Sequence, residues 1–195
     1  MSWGFFADAA LTTPLTELLT DDDTTASLLP TVPVWFGNPT AGEQVRAMSN
    51  PGTDPITVTP ASTVPAWAAS TAYGLGVVRT PTASNNRVYQ ATVAGTSAGS
   101  EPTWPTTVGA TVTDGGVTWT CLAYEDAPAE YKLATTIGGL AGATAGAGLS
   151  LGTAILGGVS NAVAFYVRCT DADHVTQDQT QLQLATNALR IDAAP

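Results

Sequence analysis

The apolar residues of this chain fall mostly in short runs rich in β-branched and aromatic side chains, and each run ends at a turn sequence. In the first third such runs cover residues 32–36, 44–48 and 56–59, with Asn-Pro and Pro-Gly dipeptides between them. Short strands bounded by Gly, Pro and Asn are typical of β-sandwiches. The first third is therefore predicted to supply sandwich strands.

The middle third repeats this pattern after residues 60–65, where two prolines flank small polar residues and predict a linker. Strands are predicted around residues 77–78 and 88–89, with Asn85-Asn86 in the turn between them. Asp114-Gly115 lies between two apolar runs and is the strongest hairpin signal in the chain. A two-stranded hairpin is expected over residues 109–119.

In the last third, residues 133–167 contain no charged side chain, which is also a property of membrane spans. The spacing Gly142-x-x-x-Gly146 even matches a helix-packing motif of membranes. Eight glycines interrupt the run, however, and an interior glycine costs a helix about 1 kcal/mol. Strands over residues 149–156 and 162–169 are therefore preferred to a membrane or fusion segment.

The two ends of the chain carry weaker signals. Pro14, followed by leucines at helical spacing, predicts one or two helical turns. The run Asp21-Asp22-Asp23 lacks the Gly and Glu of an EF-hand loop, so a solvated loop is preferred to a calcium site. Residues 181–184 alternate as in a strand with one buried face, and residues 187–195 are expected to extend and pack on a neighbour.

Composition and charge exclude some classes of partner. Hydrophobic residues make up 44% of the chain, enough for a core, whereas only 11% of residues are charged. The net charge is −10, and no basic patch is present that could displace counterions from phosphates. Nucleic acid and anionic membrane surfaces are therefore not expected as partners. The N-terminus lacks the basic region of a secretory signal, so folding in the cytosol of the producing cell is expected.

The two cysteines, Cys121 and Cys169, do not form a disulfide framework or a CxxC metal motif. Each follows an apolar run, which favours a reduced, buried thiol over a metal ligand. Pairing between the two is left open by the sequence. No metal site and no cofactor are predicted.

No catalytic constellation stands out. The single histidine, His174, lies in an Asp-containing loop, and nothing marks a nucleophile beside it. The carboxylates that a glycosidase would need to place across a sugar are all in turns, with no sign of convergence; they are Glu101, Asp114, Glu125 and Asp126. The glycines of residues 138–158 lack a Gly-Lys-Ser/Thr sequence and form no P-loop. An enzyme is not predicted.

Two resemblances to known families bear on the fold. The landmarks of the first are Trp67, Tyr73, Gly76-Val77-Val78, Tyr89-Gln90-Ala91, Gly95-Thr96-Ser97, Pro102-Thr103-Trp104-Pro105, Asp114-Gly115 and Trp119. This order resembles the small chitin- and cellulose-binding modules, in the version recurrent in structural proteins of tailed bacteriophages. The sequence Phe36-Gly37-Asn38-Pro39, followed by residues 50–58, resembles immunoglobulin-like domains. The first resemblance implies a virion protein more firmly than it implies sugar binding.

Together these features predict a mainly β fold, an immunoglobulin-like β-sandwich with a small inserted β module. The sandwich would use residues 1–60 and 126–195, and the module residues 61–125, because insertions are tolerated where the ends of the host lie close together. Two consecutive independent domains are the alternative.

The aromatic side chains of the module allow a sharper hypothesis. Sugar-binding modules stack pyranose rings on exposed Trp and Tyr, but in so small a module the same residues also form the core. Most of them are expected to pack inside. Trp104, between two prolines, is the best candidate for an exposed platform, with Tyr73 and Trp67 as the other candidate ligand-binding residues.

The function expected from the sequence is that of a structural component of a tailed-phage virion, in the tail or baseplate. It would assemble in the host cytoplasm and contact other virion proteins and copies of itself. The alternative is an adhesin that binds a host surface glycan through Trp104. A membrane-active segment at residues 137–167 is a third, weaker idea.

Overall fold

The structure, a computed structural model, describes residues 2–16, 31–124, 128–170 and 182–195. These residues form strands joined by loops and by short 3-10 helices at Pro128–Glu130, Gly138–Ala141 and Val159–Asn161. The strands are β1 (Gly4–Phe6), β2 (Val32–Gly37), β3 (Glu43–Ala47), β4 (Thr57–Ser62), β5 (Ala72–Tyr73), β6 (Val78–Arg79), β7 (Arg87–Val93), β8 (Gly95–Thr96), β9 (Thr111–Asp114), β10 (Val117–Tyr124), β11 (Tyr131–Ala134), β12 (Leu149–Ser150), β13 (Ala154–Leu156), β14 (Val163–Cys169), β15 (Leu182–Thr186) and β16 (Leu189–Ala193). The prediction of a mainly β fold is confirmed.

The described residues divide into two compact units. Unit 1 contains residues 2–16, 31–61, 128–170 and 184–195, and unit 2 contains residues 62–124 and 182–183. Unit 1 is therefore built from chain segments that precede and follow residues 62–124, the main part of unit 2.

Unit 1 contains three sheets with the strand orders β1-β2-β14-β11, β12-β4-β15 and β13-β3-β16. In β14 the residues Phe165, Val167 and Cys169 are buried and their neighbours are not, as expected of a strand with one face on a core. The strands of the chain form several antiparallel sheets, which is consistent with the β-sandwich class. The immunoglobulin-like arrangement stays a prediction.

The N-terminal strand adds aromatic side chains to this unit. The Phe5 ring lies 5.3 Å from that of Phe36 and meets the ring of Phe165 edge-on at 6.1 Å. Leu11 is buried over Gly37, where an added Cβ would lie 2.9 Å from the Leu11 side chain. A glycine at position 37 therefore makes room for the leucine.

Unit 2 contains the sheet β6-β7-β10-β9 and the two-stranded sheet β5-β8. β10 pairs with β9 and with β7, and the pairing with β7 is interrupted by two register shifts. The predicted hairpin is present: Asp114 pairs with Val117, so Gly115 and Gly116 form a two-residue loop.

Several expectations about single elements need correction. Residues 60–65 are not wholly a linker, because β4 continues through Ser62. The predicted strand at residues 149–156 is two short strands, β12 and β13, which pair with β4 and β3. Residues 187–195 extend and pair within the same chain, since β16 pairs with β3, and their packing on a neighbour stays a prediction.

Other expectations concern the chain ends. Pro14 forms an isolated bridge with Phe6 and the N–H of Leu15 donates to the carbonyl of Phe5, so the predicted helix does not start at Pro14; its residues from 17 onward lie outside the described residues. The same is true of Asp21-Asp22-Asp23, His174 and Gln181. In β15 the Gln183 side chain is exposed and Leu184 is partly buried, whereas the Leu182 side chain lies outside the described ones, so the expected buried face stays a prediction. In the described part of the chain, no helix has the length and apolarity needed to cross a bilayer.

Candidate functional site

The aromatic and carboxylate side chains that drew attention in the sequence meet in unit 2, and Asp114 lies at their centre. It is the last residue of β9, in a strand where Val112 faces the core and Thr111 and Thr113 face away. Alternation therefore turns Asp114 inward, and only 2% of its surface is exposed.

Asp114 accepts three hydrogen bonds from N–H groups. Its Oδ2 accepts one from Trp67 Nε1 at 2.7 Å and one from Trp119 Nε1 at 2.9 Å. Its Oδ1 accepts the third from the backbone N–H of Ala98 at 2.8 Å. A buried carboxylate is costly unless it is well hydrogen-bonded, and here both oxygens are occupied. Asp114 thereby joins the start of unit 2, the hairpin and the loop after β8.

The rings around this carboxylate form one cluster. Trp119 is fully buried and meets Tyr73 edge-on at 4.9 Å and Trp104 edge-on at 5.7 Å. Trp104 also lies 4.4 Å from the ring of Tyr89. Edge-on and tilted aromatic pairs of this kind stabilise by about 0.5–1.5 kcal/mol each beyond the burial of their area. The cluster is the core of unit 2.

A second carboxylate, Glu101, fixes the outer part of the cluster. Its Oε1 accepts hydrogen bonds from Trp104 Nε1 and from the backbone N–H of Thr82, both at 2.8 Å, and its Oε2 accepts one from the Thr82 hydroxyl. Partial burial alone would raise the pKa of Glu101, but these hydrogen bonds favour the ionised form and the pKa lies below its ordinary value. The loop that carries Trp104 is thus tied to the loop that carries Thr82.

Tyr89 and Cys121 lie side by side on paired strands at the buried face of the sheet. The Tyr89 hydroxyl donates to the carbonyl of Pro105 and accepts from Asn85, both at 2.7 Å. Burial raises the pKa of the Tyr89 hydroxyl and also that of the Cys121 thiol. Because the thiolate is the reactive form, a raised pKa gives Cys121 the character of a packing residue. Cys169 is likewise buried, in unit 1.

The three predicted glycan-binding residues come together in this cluster but do not form a surface. Trp67 and Tyr73 are only 8% and 4% exposed, and the Tyr73 hydroxyl bonds the backbone of Ala68, so neither ring has a free face for a sugar. Trp104 is half-buried, with one side against Tyr89 and Trp119. The platform hypothesis therefore loses Trp67 and Tyr73 and keeps the outer part of Trp104.

Of the four carboxylates considered for hydrolysis, Glu101 and Asp114 belong to the hydrogen-bond networks above. Glu125 and Asp126 lie outside the described residues. No group of three or more His, Cys, Asp or Glu residues in the described ranges could hold a metal ion.

The Asp-Gly pair predicts only that Asp114 is a turn residue of a hairpin, not that it holds the core together. The alternation Thr-Val-Thr-Asp in front of the turn was the signal, since it places Asp114 on the same face as Val112.

Comparison of the chain with protein-family models, with curated proteins and with solved structures gave no match.

Proposed function

We propose that this chain is a structural component of a tailed-phage virion, in the tail or baseplate, and that it works through contacts between subunits. The resemblance of residues 66–124 to a module recurrent in such proteins motivates the proposal. Its support in the structure is a sheet of unit 1 with exposed aliphatic side chains on both outer strands: Leu156 on β13 and Ile191 on β16.

Edge strands present unpaired backbone groups, and proteins that stay separate usually protect them with charges, prolines or short length. An aliphatic side chain exposed at such an edge favours pairing with another chain. The acidic and aromatic side chains of unit 2 also support a structural role, because Asp114 and Glu101 accept hydrogen bonds from the tryptophans and so hold the module together. A module stabilised in this way suits a structural role.

The test is mass spectrometry of purified particles from the virus or prophage that encodes the chain. The protein should be present at a ratio to the other virion proteins that stays constant through repeated purification. A chain that is expressed during infection but is missing from intact particles would contradict the proposal.

Carbohydrate binding is the second candidate, and Trp104 is the observation that favours it. The ring is half-exposed, is held from behind by Tyr89 and is fixed through its Nε1 by Glu101. A rigid indole costs little conformational entropy when it stacks on a sugar.

Because Trp104 also packs on the core, its replacement by alanine tests two properties together. Trp104→Phe keeps an aromatic ring on Tyr89, and Leu75→Ala removes an exposed aliphatic side chain elsewhere in unit 2. Pull-down on chitin, cellulose and host surface polysaccharide should be weakened by Trp104→Ala and much less by Trp104→Phe or Leu75→Ala. Absence of binding by the unmodified chain to every polysaccharide would remove this candidate.

A further inference from the structure

The outer edge of β16 has a hydrogen-bonding pattern that can be read from its pairing with β3. The N–H of Met48 donates to the carbonyl of Ala188 at 2.8 Å, and the N–H of Ala194 donates to the carbonyl of Gly42 at 2.9 Å. These bonds flank the paired strands and belong to the same register. Since bonded and non-bonded pairs alternate in an antiparallel ladder, the even-numbered residues of β16 bond to β3. The odd-numbered residues direct their N–H and C=O groups outward.

The outward groups belong to Leu189, Ile191 and Ala193, and no strand within the described residues pairs with them. Ile191 is 53% exposed, although its neighbour across the ladder, Val45, is fully buried. The Ala193 carbonyl accepts a hydrogen bond from Gln44 Nε2 at 3.0 Å, so only the outward groups of Leu189 and Ile191 and the N–H of Ala193 await a strand. The edge thus combines outward backbone groups with an exposed aliphatic side chain, which are the two elements of strand addition.

Two charged side chains of opposite sign flank the centre of β16. Arg190 and Asp192 stand on either side of Ile191, on the opposite face, and their side chains are bonded to each other at 2.7 Å. Asp192 also accepts from Arg46 of β3 at 2.5 Å. The strand therefore reads Arg-Ile-Asp around its centre, and an antiparallel copy of it reads Asp-Ile-Arg.

We infer that β16 pairs with β16 of a second copy of this chain, antiparallel about a two-fold axis at Ile191. Ile191 then exchanges both backbone hydrogen bonds with Ile191 of the copy, and each Leu189 bonds to an Ala193. Arg190 of each chain stands opposite Asp192 of the other in a non-bonded pair, where the Cα atoms approach to about 4.5 Å and side chains meet most closely. Such a contact is self-complementary, as a two-fold interface requires.

Only this register satisfies both the backbone and the charges. Pairing must match odd-numbered residues with odd-numbered ones, because those carry the outward groups. A shift by one such step in either direction would place Arg190 opposite Arg190 or Asp192 opposite Asp192, and like charges directly across a ladder are destabilising. The contact joins the β13-β3-β16 sheets of two copies into one continuous sheet.

This interface names a specific surface for the assembly role proposed above. The pairing itself is argued from β16 alone, and only its biological purpose rests on the proposed function. The two ideas fail separately. Absence from virions would leave the pairing of β16 intact, and absence of pairing would leave other faces for virion assembly.

Cysteine cross-linking of the full chain tests the register. Ile191→Cys places two thiols across the axis, at a Cα separation of about 5.5 Å, which is within disulfide range. Ala193→Cys is the matched control. In the dimer the two residues 193 lie on opposite sides of the axis, each two residues from it, so their thiols are roughly 14 Å apart. Mild oxidation should give a covalent dimer with Ile191→Cys only. The unmodified chain, whose two cysteines are buried, should give none.

Charge exchange tests the pairing without a cross-link. Arg190→Asp and Asp192→Arg should each reduce the dimer seen by sedimentation velocity, because like charges then face each other. A mixture of the two variants restores both opposite-charge pairs and should form a heterodimer. Ile191→Lys should remove the dimer. Ile137 is another exposed isoleucine of unit 1, 56% exposed, and the control Ile137→Lys should leave the dimer unchanged.

Circular dichroism verifies that each variant is folded. Cross-linking of Ile191→Cys no faster than that of Ala193→Cys would overturn the inference. A mixture of the charge variants that stays monomeric, when the unmodified chain dimerises, would overturn the register.

Discussion

At the scale of single residues, the most informative side chain is Asp114, a carboxylate that holds two tryptophans 52 positions apart in the sequence, Trp67 and Trp119. Sequence patterns could place it in a hairpin, because turn chemistry is local. They could not show that Trp67 would donate to it, because that bond joins segments whose approach depends on the whole module. For the same reason the sequence predicts the burial of Trp67 and Tyr73 only in part.

The role of Asp114 leads to a prediction about stability. Asp114→Asn replaces one carboxylate oxygen by an N–H₂ group, which cannot accept from the indole or backbone donors around it. Leaving buried donors without an acceptor should lower the free energy of unfolding by about 3 kcal/mol. Urea unfolding followed by tryptophan fluorescence measures this loss. Asp54→Asn is the control, because Asp54 accepts from Ser49 at the surface, and it should change stability by less than about 0.5 kcal/mol.

Glu101 leads to a prediction about pH. The folded form lowers the pKa of this carboxyl below its ordinary value of 4.5, through hydrogen bonds from Thr82 and Trp104. A lowered folded pKa means that the stabilising contribution is complete above pH 4.5 and is lost as pH falls through the folded value. The difference in melting temperature between the unmodified chain and Glu101→Gln should therefore be largest at neutral pH and shrink in acid. A difference that grows in acid would contradict this assignment.

At the scale of elements, the hairpin of β9 and β10 is held by close backbone packing as well as by side chains. The N–H of Gly116 donates to the carbonyl of Thr96 at 2.8 Å, which brings the hairpin loop against β8. An added Cβ at Gly95 would lie 2.3 Å from the carbonyl oxygen of Gly116, and one at Gly115 would lie 2.5 Å from that of Thr96. The Asp-Gly signal predicted the hairpin, but only the structure explains why glycine is needed across from it.

Gly95 and Gly99 provide a matched pair of substitutions. Gly95→Ala forces the β8 backbone away from the hairpin and should lower the free energy of unfolding by roughly 1–3 kcal/mol. An added Cβ at Gly99 would have nothing within 4 Å, and its φ is not in the left-handed region. Gly99→Ala should therefore be neutral or stabilise by a few tenths of a kcal/mol through the unfolded chain. Equal effects of the two substitutions in thermal unfolding would show that the close approach is not important.

Elements that depend on distant partners were the ones that sequence patterns described poorly. Strands β2, β3 and β14 were expected within a residue or two, because β-branched residues and turn sequences mark them locally. Residues 187–195 contain no comparable signal, and their pairing with β3 depends on a strand more than 140 positions earlier. The split of residues 149–156 follows from Gly152, whose φ of 103° turns the chain between β12 and β13.

At the scale of the whole molecule, two compact units with separate cores should unfold in separate steps. Scanning calorimetry should give two transitions. Asp114→Asn should move the one that belongs to unit 2. Gly157→Ala should move the other, because its Cβ would lie 2.3 Å from the carbonyl oxygen of Thr40 in unit 1. A loss of 1 kcal/mol corresponds to roughly 4–8 °C in units of this size. A single transition that both substitutions displace would contradict this prediction.

The discontinuity of unit 1 also sets an order of events during translation. Strands β2, β3 and β4 emerge from the ribosome early, yet their partners β14, β13 and β12 are made only after the whole of β5–β10. The sheets of unit 2 are complete once residue 124 has emerged. Unit 2 can therefore fold before the second half of unit 1 has been synthesised. For that interval β3 and β4 lack the strands that pair with them in the described residues, and β2 has β1 but lacks β14. A ribosome pause, or a chaperone that holds those strands, would then have its greatest effect on unit 1, the last part of the chain to fold.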